Sequence, residues 1–348
     1  MTEPSTDHCS PFTVNSVTVL GAGSWGTALA LLLGRKGFPV RLWSCEPPVV
    51  DEIQSARRNT AYLPDHLLPH NIAVTGDLAE ALDGADCVVF AIPSEALRGV
   101  ARQVAEIGIQ GAPLIVNAGK GLESDTGLRL SQILTEELGE GLASNLVALS
   151  GPNLAVEIAK EVPAATVVAS LSPEAALAAQ RLLTTPHFRV YRNPDLIGVE
   201  LSGALKNVVA IGAGIGDGFG YGDNTKAALI TRGLPEMTRL GVALGADART
   251  FMGLAGVGDL MATCGSPLSR NLRFGRALGR GLSVAEAEAE VRQVVEGKPT
   301  CLAAYNLSRR LSVSMPITEQ IYLVVFKSKP AKDAVTDLMQ RDPKDEYQ

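Results

Sequence analysis

Histidine is scarce in this chain: His8, His66, His70 and His187 are the four in 348 residues, and none stands in a recognisable catalytic context. Any proton transfer near neutral pH therefore falls first to lysine. The five cysteines (Cys9, Cys45, Cys87, Cys264, Cys301) are odd in number, scattered, and form no Cys-x-x-Cys pair. Neither a disulfide framework nor a zinc knuckle fits that spacing, so no metal is expected and a reducing, cytoplasmic compartment is. Long apolar runs are missing too; a stretch such as Cys87 to Ile92 is the length of a strand, far short of a bilayer. Met1 to Asn15 has neither a basic start nor an apolar segment, which argues against a secretory signal and reads as a disordered tail. A basic excess is likewise absent. With a net charge of −6, nucleic acid and membrane surfaces are poor partners, and an anionic ligand would need a local cluster of basic side chains working against the overall field.

What is present is enough apolar residue for a sizeable core, 46% of the chain against 20% charged, in a length that suits two domains. The first half alternates β-branched runs with helical stretches, the pattern of βαβ units on a parallel sheet. Expected strands are Val17–Leu20, Val40–Trp43, Ile72–Val74, Asp86–Ile92, Leu114–Asn117, Leu146–Leu149, Ala165–Ala169 and Phe188–Tyr191. Expected helices between them include Trp25–Arg35, Leu97–Val104, Leu128–Leu138 and Ala175–Leu183. After Asn193-Pro194 helical periodicity takes over: Ile197, Leu201, Leu205 and Val208 share one face, and Leu229, Leu234, Met237 and Leu240 another, with Pro235 a candidate kink. The predicted architecture is a Rossmann-type doubly wound α/β unit over residues 16–195 and an all-α unit over 196–341.

Gly21-Ala22-Gly23-Ser24-Trp25-Gly26 follows the first strand directly and opens a helix. In that setting each glycine does something different. Gly21 allows the tight turn, Gly23 the approach of a pyrophosphate, and Gly26 close helix–strand packing. The helix N-terminus adds free N–H donors and partial positive charge. Past the second strand, Glu46 lies twenty residues after Gly26, where a carboxylate accepts a ribose hydroxyl in an NAD site. The next basic pair, Arg57-Arg58, reads as a solvated helix face rather than a partner for a 2′-phosphate, so NAD is slightly favoured over NADP. A surface turn before Pro47-Pro48 is an equal reading of Glu46. The glycine-dense run Gly212 to Gly218 has no preceding strand and no Walker spacing, and reads as a helix terminus with tight packing.

Further motifs follow in order: Asn59-Thr60-Ala61-Tyr62-Leu63-Pro64, Gly119-Lys120-Gly121-Leu122-Glu123, Ser150-Gly151-Pro152-Asn153, Gly203-Ala204-Leu205-Lys206-Asn207, Gly256-Val257-Gly258-Asp259-Leu260, Ser269-Arg270-Asn271, Val294-Val295-Glu296-Gly297 and Met315-Pro316-Ile317-Thr318-Glu319. Together with the fingerprint they resemble the NAD(P)-dependent glycerol-3-phosphate dehydrogenases of the bacterial type, from Val17 to about Arg341. The resemblance implies reversible hydride transfer between NAD(P)H and dihydroxyacetone phosphate, a step feeding glycerophospholipid synthesis. It casts Lys206 as the proton donor and acceptor, with Lys120 and Asp259 beside it. Lys120, Gly151, Asn153, Asn207, Asp259, Thr263, Ser269, Arg270 and Asn271 fall to the substrate. Ser24, Trp25, Tyr62, Lys120, Ala155, Arg270, Val294 and Glu296 fall to the cofactor beside Gly21, Gly23, Gly26 and Glu46.

Two departures from the family pattern stand out. Cys45-Glu46 replaces a pair that in many relatives contains His and Arg or Asp, and Asn153 replaces the usual Ser or Thr.

The residue types suit that chemistry. A lysine embedded among Leu205, Val208 and Val209 can have its pKa lowered toward 7 by burial and by a like-charged neighbour, a role open to Lys120. Asp259 and Thr263 share a helical face; Asp259 could hold Lys206, or could merely cap the helix. Ser269-Arg270-Asn271 offers a hydroxyl, a bidentate fork and an amide to a phosphate dianion, although Ser269 could equally cap a helix. Alternatives are a 3-hydroxyacid or 6-phosphogluconate type of dehydrogenase, whose acid substrate could also use Arg270, and a dinucleotide-sensing protein without chemistry. An apolar helical unit also makes a homodimer an open expectation.

Overall fold

The computed structural model describes residues 12–343, 345 and 346. An eight-stranded sheet comes first in the chain, then a helical body. The sheet strands are β1 (Val17–Leu20), β2 (Val40–Trp43), β5 (Ile72–Thr75), β6 (Cys87–Phe90), β7 (Leu114–Asn117), β8 (Leu146–Ser150), β9 (Ala164–Ala169) and β10 (Phe188–Asn193). Their spatial order is β10-β9-β8-β7-β6-β1-β2-β5. Strands β1, β6 and β7 are buried at every position, as expected of a sheet covered on both faces. The covering helices are α1 (Ser24–Arg35), α2 (Pro47–Ala56), α3 (Leu78–Leu82), α4 (Ser94–Ile107), α5 (Leu130–Leu138), α6 (Ala155–Ala159) and α7 (Pro173–Leu183).

Three details differ from the sequence expectation. The pairing of β8 with β9 is antiparallel, whereas β9 and β10 are parallel to each other. The β8–β9 connection carries only the five-residue α6, and an antiparallel return needs no long crossover. A small hairpin, β3 (Arg58–Asn59) with β4 (Leu63–Leu67), follows α2 where no strand is expected, with Pro64 inside its second strand. Arg57 and Arg58 are not a helix face. Arg57 ends α2 in the left-handed region (φ 55°) and donates to the carbonyls of Leu68, Pro69 and Ile72, while Arg58 opens β3. Of the expected N-terminal tail, residues 1–11 lie outside the described residues. Phe12 and Val14 pack on the sheet core, and the Asn15 and Ser16 amides donate to Asp86.

The helical body is α8 (Leu196–Gly218), α9 (Asp223–Ala243), α10 (Asp259–Gly265), α11 (Arg270–Gly279), α12 (Val284–Val291), α13 (Gly297–Arg310), α14 (Pro316–Lys327) and α15 (Ala331–Met339). Helix α8 is long and apolar enough to cross a membrane by composition, yet 89% of its apolar window is buried in protein; it is the central strut of the body. The glycine run forms the last turns of α8, where Gly214 meets Gly275 of α11 so closely that a Cβ on either would overlap backbone. At its other end α8 reaches the sheet: Leu196 and Val199 belong to the sheet-side core, and Leu201, Ala204 and Leu205 to the helical core. Helix α9 runs unbroken through Pro235.

Candidate active site

The fingerprint turn lies at the end of β1. Gly21 has φ +105°, and a Cβ on Gly26 would sit 1.8 Å from the Gly21 carbonyl oxygen, so neither position tolerates a side chain. Around Gly23, in contrast, an added Cβ would meet nothing within 4 Å. The space that a pyrophosphate needs is open, and α1 begins there without any side-chain cap on its first amides.

Other groups converge on this end of the sheet. Trp25 keeps its indole Nε1 buried and without a partner. Ser24 donates to the Tyr62 carbonyl (2.8 Å), and Tyr62 donates its hydroxyl to Glu46 Oε1 (2.8 Å). Burial first, then the Glu46 contact, push the Tyr62 phenol up to about 12. Glu46 itself is exposed at the start of α2, just past the end of β2. Asn59, fully buried, donates to the carbonyl of Ala22 inside the fingerprint and to Thr27. An anion-binding turn with uncapped amides, an acceptor carboxylate past the second strand and an unpartnered indole fit a nicotinamide dinucleotide.

The second cluster forms where α8 passes the sheet. Lys206 Nζ donates to Asp259 Oδ1 (2.9 Å) and to Thr263 Oγ1 (2.6 Å). Lys120 Nζ donates to the other oxygen of the same carboxylate (2.7 Å) and to the Gly151 carbonyl (2.8 Å). Gly203 makes room for Ser150 beside this cluster: a Cβ there would be 2.5 Å from Ser150 Oγ, with Lys120 Cγ at an ordinary 3.6 Å.

Lys206 is 6% exposed and Asp259 2%. Burial lowers the Lys206 pKa to about 8; the attraction of Asp259 opposes the shift, and the repulsion of Lys120 adds to it. For Asp259, burial favours the neutral acid, but the two lysines outweigh it and hold the group below the usual carboxylate range. Asp259 is therefore not a capping residue. It opens α10 just after a wide π-type turn, Leu254–Gly258, and spends both oxygens on lysines. A lysine that can exchange a proton near neutral pH, held by a carboxylate, can serve as an acid or a base.

Around this pair the remaining residues divide. Asn207 Oδ1 accepts from Asn271 Nδ2 (2.9 Å), and Asn271 Oδ1 accepts from the Gly297 amide (2.9 Å), so this buried amide pair joins α8, α11 and α13. Ser269 caps α11 through the Leu272 amide (3.2 Å). Of the three consecutive residues Ser269-Arg270-Asn271, Arg270 keeps its guanidinium free of any hydrogen bond or ion pair among the described residues. Desolvation lowers its pKa and the charge of Arg273 adds to the shift, while Glu296 and Tyr62 oppose it.

Glu296 accepts from the Ser94 amide (3.2 Å) and hydroxyl (2.5 Å), joining the start of α13 to the start of α4 across 202 residues. Burial raises its pKa against the pull of Ser94 and Arg270. Asn153 donates to Thr166 Oγ1 (3.0 Å) beside Gly151. Ala155 begins α6, and Val294 is exposed ahead of α13. Sequence reasoning missed Asn59, Ser94 and Thr166. Asn59 had a signal, an amide at the head of the motif over residues 59–64; Ser94 had none.

Comparison with known proteins agrees with this arrangement. Residues 16–176 match the family profile described as NAD-dependent glycerol-3-phosphate dehydrogenase N-terminus, and residues 195–336 the profile for its C-terminus. The chain is 50% identical over 330 residues to the glycerol-3-phosphate dehydrogenase [NAD(P)+] of Geobacter metallireducens, covering 95% of this chain and 98% of that one. It resembles the crystal structure of glycerol-3-phosphate dehydrogenase from Coxiella burnetii with a TM-score of 0.90 at 39% identity, over 95% of this chain and all of the other. The enzyme of the same name from Saccharomyces cerevisiae follows at 0.79 and 30%, over 94% of this chain and 100% of that chain. A buried lysine–aspartate–lysine site beside a dinucleotide fingerprint, in a chain matched along nearly its whole length, places this protein in the NAD-dependent glycerol-3-phosphate dehydrogenase family, as an NAD(P)-dependent oxidoreductase.

Proposed function

We propose that the chain interconverts dihydroxyacetone phosphate and sn-glycerol 3-phosphate, with Lys206 as the proton donor in reduction and the acceptor in oxidation. The observation that carries this reading is the buried Lys206–Asp259–Lys120 cluster in a histidine-poor chain. A bound nicotinamide dinucleotide supplies or receives the hydride. As negative charge develops on the substrate oxygen, Lys206 gives up a proton to it, and Asp259 and Thr263 hold its ammonium in one place. Lys120 adds a second positive charge to the same spot.

Arg270, with the uncommitted amides at the start of α11, suits the phosphate, and the Asn271 amide nitrogen has a second hydrogen besides the one given to Asn207. These cations supply the local positive field that a chain of net charge −6 needs to draw a phosphorylated ketone. Holding the remote phosphate orients the carbonyl for reaction. Gly151 and Asn153, next to Lys120, complete the substrate side. The cofactor side uses the fingerprint with Ser24, Trp25, Tyr62, Ala155, Val294 and Glu296.

The Glu46 carboxylate, already carrying the Tyr62 hydroxyl, favours a ribose hydroxyl over a 2′-phosphate, which supports NAD over NADP. Residues 16–195 then form the dinucleotide-binding unit and 196–341 the substrate-binding unit, with Lys120, Gly151 and Asn153 of the first reaching the substrate and Val294 and Glu296 of the second reaching the cofactor, in a cytoplasmic protein that supplies a glycerophospholipid precursor and pairs as a homodimer. The test is NADH oxidation with dihydroxyacetone phosphate against 2-oxo and 3-oxo acids. Turnover with the phosphorylated ketone alone supports the assignment; turnover with the acids alone removes it.

A further inference from the structure

Lys120 and Lys206 come from different parts of the chain, yet their ammonium groups meet on one carboxylate. Something must set the spacing between the loop that carries one and the helix that carries the other. The loop spans residues 118–129 and is closed on itself. Leu122 pairs with Arg129 across it, the Glu123 amide donates to the Leu128 carbonyl (3.0 Å), and the Gly127 amide donates to the Glu123 carbonyl (2.9 Å). Arg98 of α4 clamps Glu123 with two bonds, 2.7 and 2.9 Å. These bonds tie the loop to itself and, through Arg98, to α4.

Two contacts fasten the loop to α8. Leu122, fully buried, packs in the cluster that contains Leu201, Ala204 and Leu205. At the loop's far end, Arg129 Nη1 meets Glu200 Oε2 at 2.5 Å, and Glu200 also accepts from the Ser131 amide (2.8 Å) and hydroxyl (2.5 Å) at the start of α5. Glu200 is 8% exposed and lies six residues before Lys206 on α8, about 9 Å along the axis. A charged residue so deeply placed carries a desolvation cost that only complete hydrogen bonding offsets, and here the bonds go to Arg129 at the end of the loop and to Ser131 two residues beyond it, at the start of α5.

We propose that Glu200, through Arg129, is a positioning residue that keys the Lys120 loop to the Lys206 helix and so fixes the distance between the two lysines. The inference rests on the functional reading above for its kinetic consequence but not for its structural one. With the key removed, Lys120 leaves its place on Asp259, and Lys206 loses its like-charged neighbour. The charged and titratable groups facing Lys206 are Asp259 and Cys264 from α10 and Lys120 from the loop. Of these, the one whose placement depends on Glu200 is Lys120. Its departure lets the Lys206 pKa rise.

Two variants separate this from a direct charge effect. Glu200→Gln deletes a negative charge, which by Coulomb's law alone lowers the Lys206 pKa; Arg129→Met deletes a positive charge, which alone raises it. The proposal expects both to raise it, by ~0.5 pH unit or more, read by NMR titration of 13Cε-labelled lysine in the ligand-free protein. It also expects kcat for dihydroxyacetone phosphate to fall ~10-fold in each, with the KM for NADH changed by less than ~2-fold and the double variant no worse than the single ones. Opposite shifts in the two variants, or no shift in either, overturn the proposal. If Glu200→Gln does not fold, Arg129→Met with the double variant carries the test, because Arg129 is partly solvated and the double variant removes a neutral pair. Absence of turnover in the unmodified chain, with the NMR shifts as expected, would overturn the functional reading and leave the positioning role standing.

Discussion

Lys206 and Lys120 hold opposite oxygens of the single buried carboxylate of Asp259, at 2.9 and 2.7 Å. Two cations on one anion leave a net positive charge in a site almost closed to water. That arrangement explains why one of the two lysines can act near neutral pH: the fully buried Lys206 is brought down to about 8 by desolvation and kept from falling further by Asp259.

The pH dependence follows with a definite sign. Reduction needs the ammonium form of Lys206, so kcat/KM for dihydroxyacetone phosphate should be level below pH 7 and fall as pH rises through about 8. Oxidation of glycerol 3-phosphate needs the free amine and should rise through the same pH. Stopped-flow or steady-state profiles in both directions check the mirror relation.

Two glycines of the fingerprint should fail in different ways. Gly23→Ala meets nothing in the protein, so thermal stability should stay within about 1 °C while cofactor affinity drops at least ~10-fold, the new methyl occupying the pyrophosphate's place. Gly26→Ala forces a Cβ to 1.8 Å from the Gly21 carbonyl and should cost roughly 2–4 kcal/mol of stability as well. Calorimetry with a cofactor titration distinguishes the two.

Cofactor choice should turn on the Glu46–Tyr62 pair. Glu46→Arg removes the carboxylate and offers a guanidinium, and should move the ratio of kcat/KM for NADPH over NADH upward by ~10-fold or more. Tyr62→Phe should weaken both dinucleotides alike. An unchanged ratio in Glu46→Arg would show that selectivity lies elsewhere.

Glu236 offers a stability prediction away from the site. Its buried carboxylate accepts from the Ile317 and Thr318 amides at the start of α14 (2.7 and 3.2 Å), yet burial outweighs them and pushes its pKa up to about 7. A carboxyl whose folded pKa is raised contributes stability below its unfolded pKa, and that contribution is lost as pH climbs through the folded value. Melting temperature should therefore decline between about pH 5 and 7, and Glu236→Gln should flatten that part of the curve.

Much of this was readable in the chain because the signals are local. The sheet strands announced themselves as short β-branched runs, and the fingerprint stood between a strand and a helix. Lys206 was visible as a charge inside an apolar helix. The direction of β9 was not visible, because connection length and packing decide it. The β3–β4 hairpin was hidden because β3 is two residues long and β4 contains Pro64, a residue depleted from strands. The Ser94–Glu296 and Arg129–Glu200 contacts join residues 202 and 71 positions apart, and no local pattern encodes such a partner. Arg57 misled for a related reason: a basic residue at a helix end looks solvated until the carbonyls that it ties together are known.

The central claim is that Lys206 moves the proton. The direct measurement is steady-state reduction of dihydroxyacetone phosphate by NADH with the unmodified chain and with Lys206→Ala, alongside a fluorescence titration of NADH binding. The account predicts a fall in kcat of ~10³-fold or more with the NADH dissociation constant within ~3-fold of the original. A Lys206→Ala variant that retains more than about a tenth of kcat while binding NADH normally would contradict it.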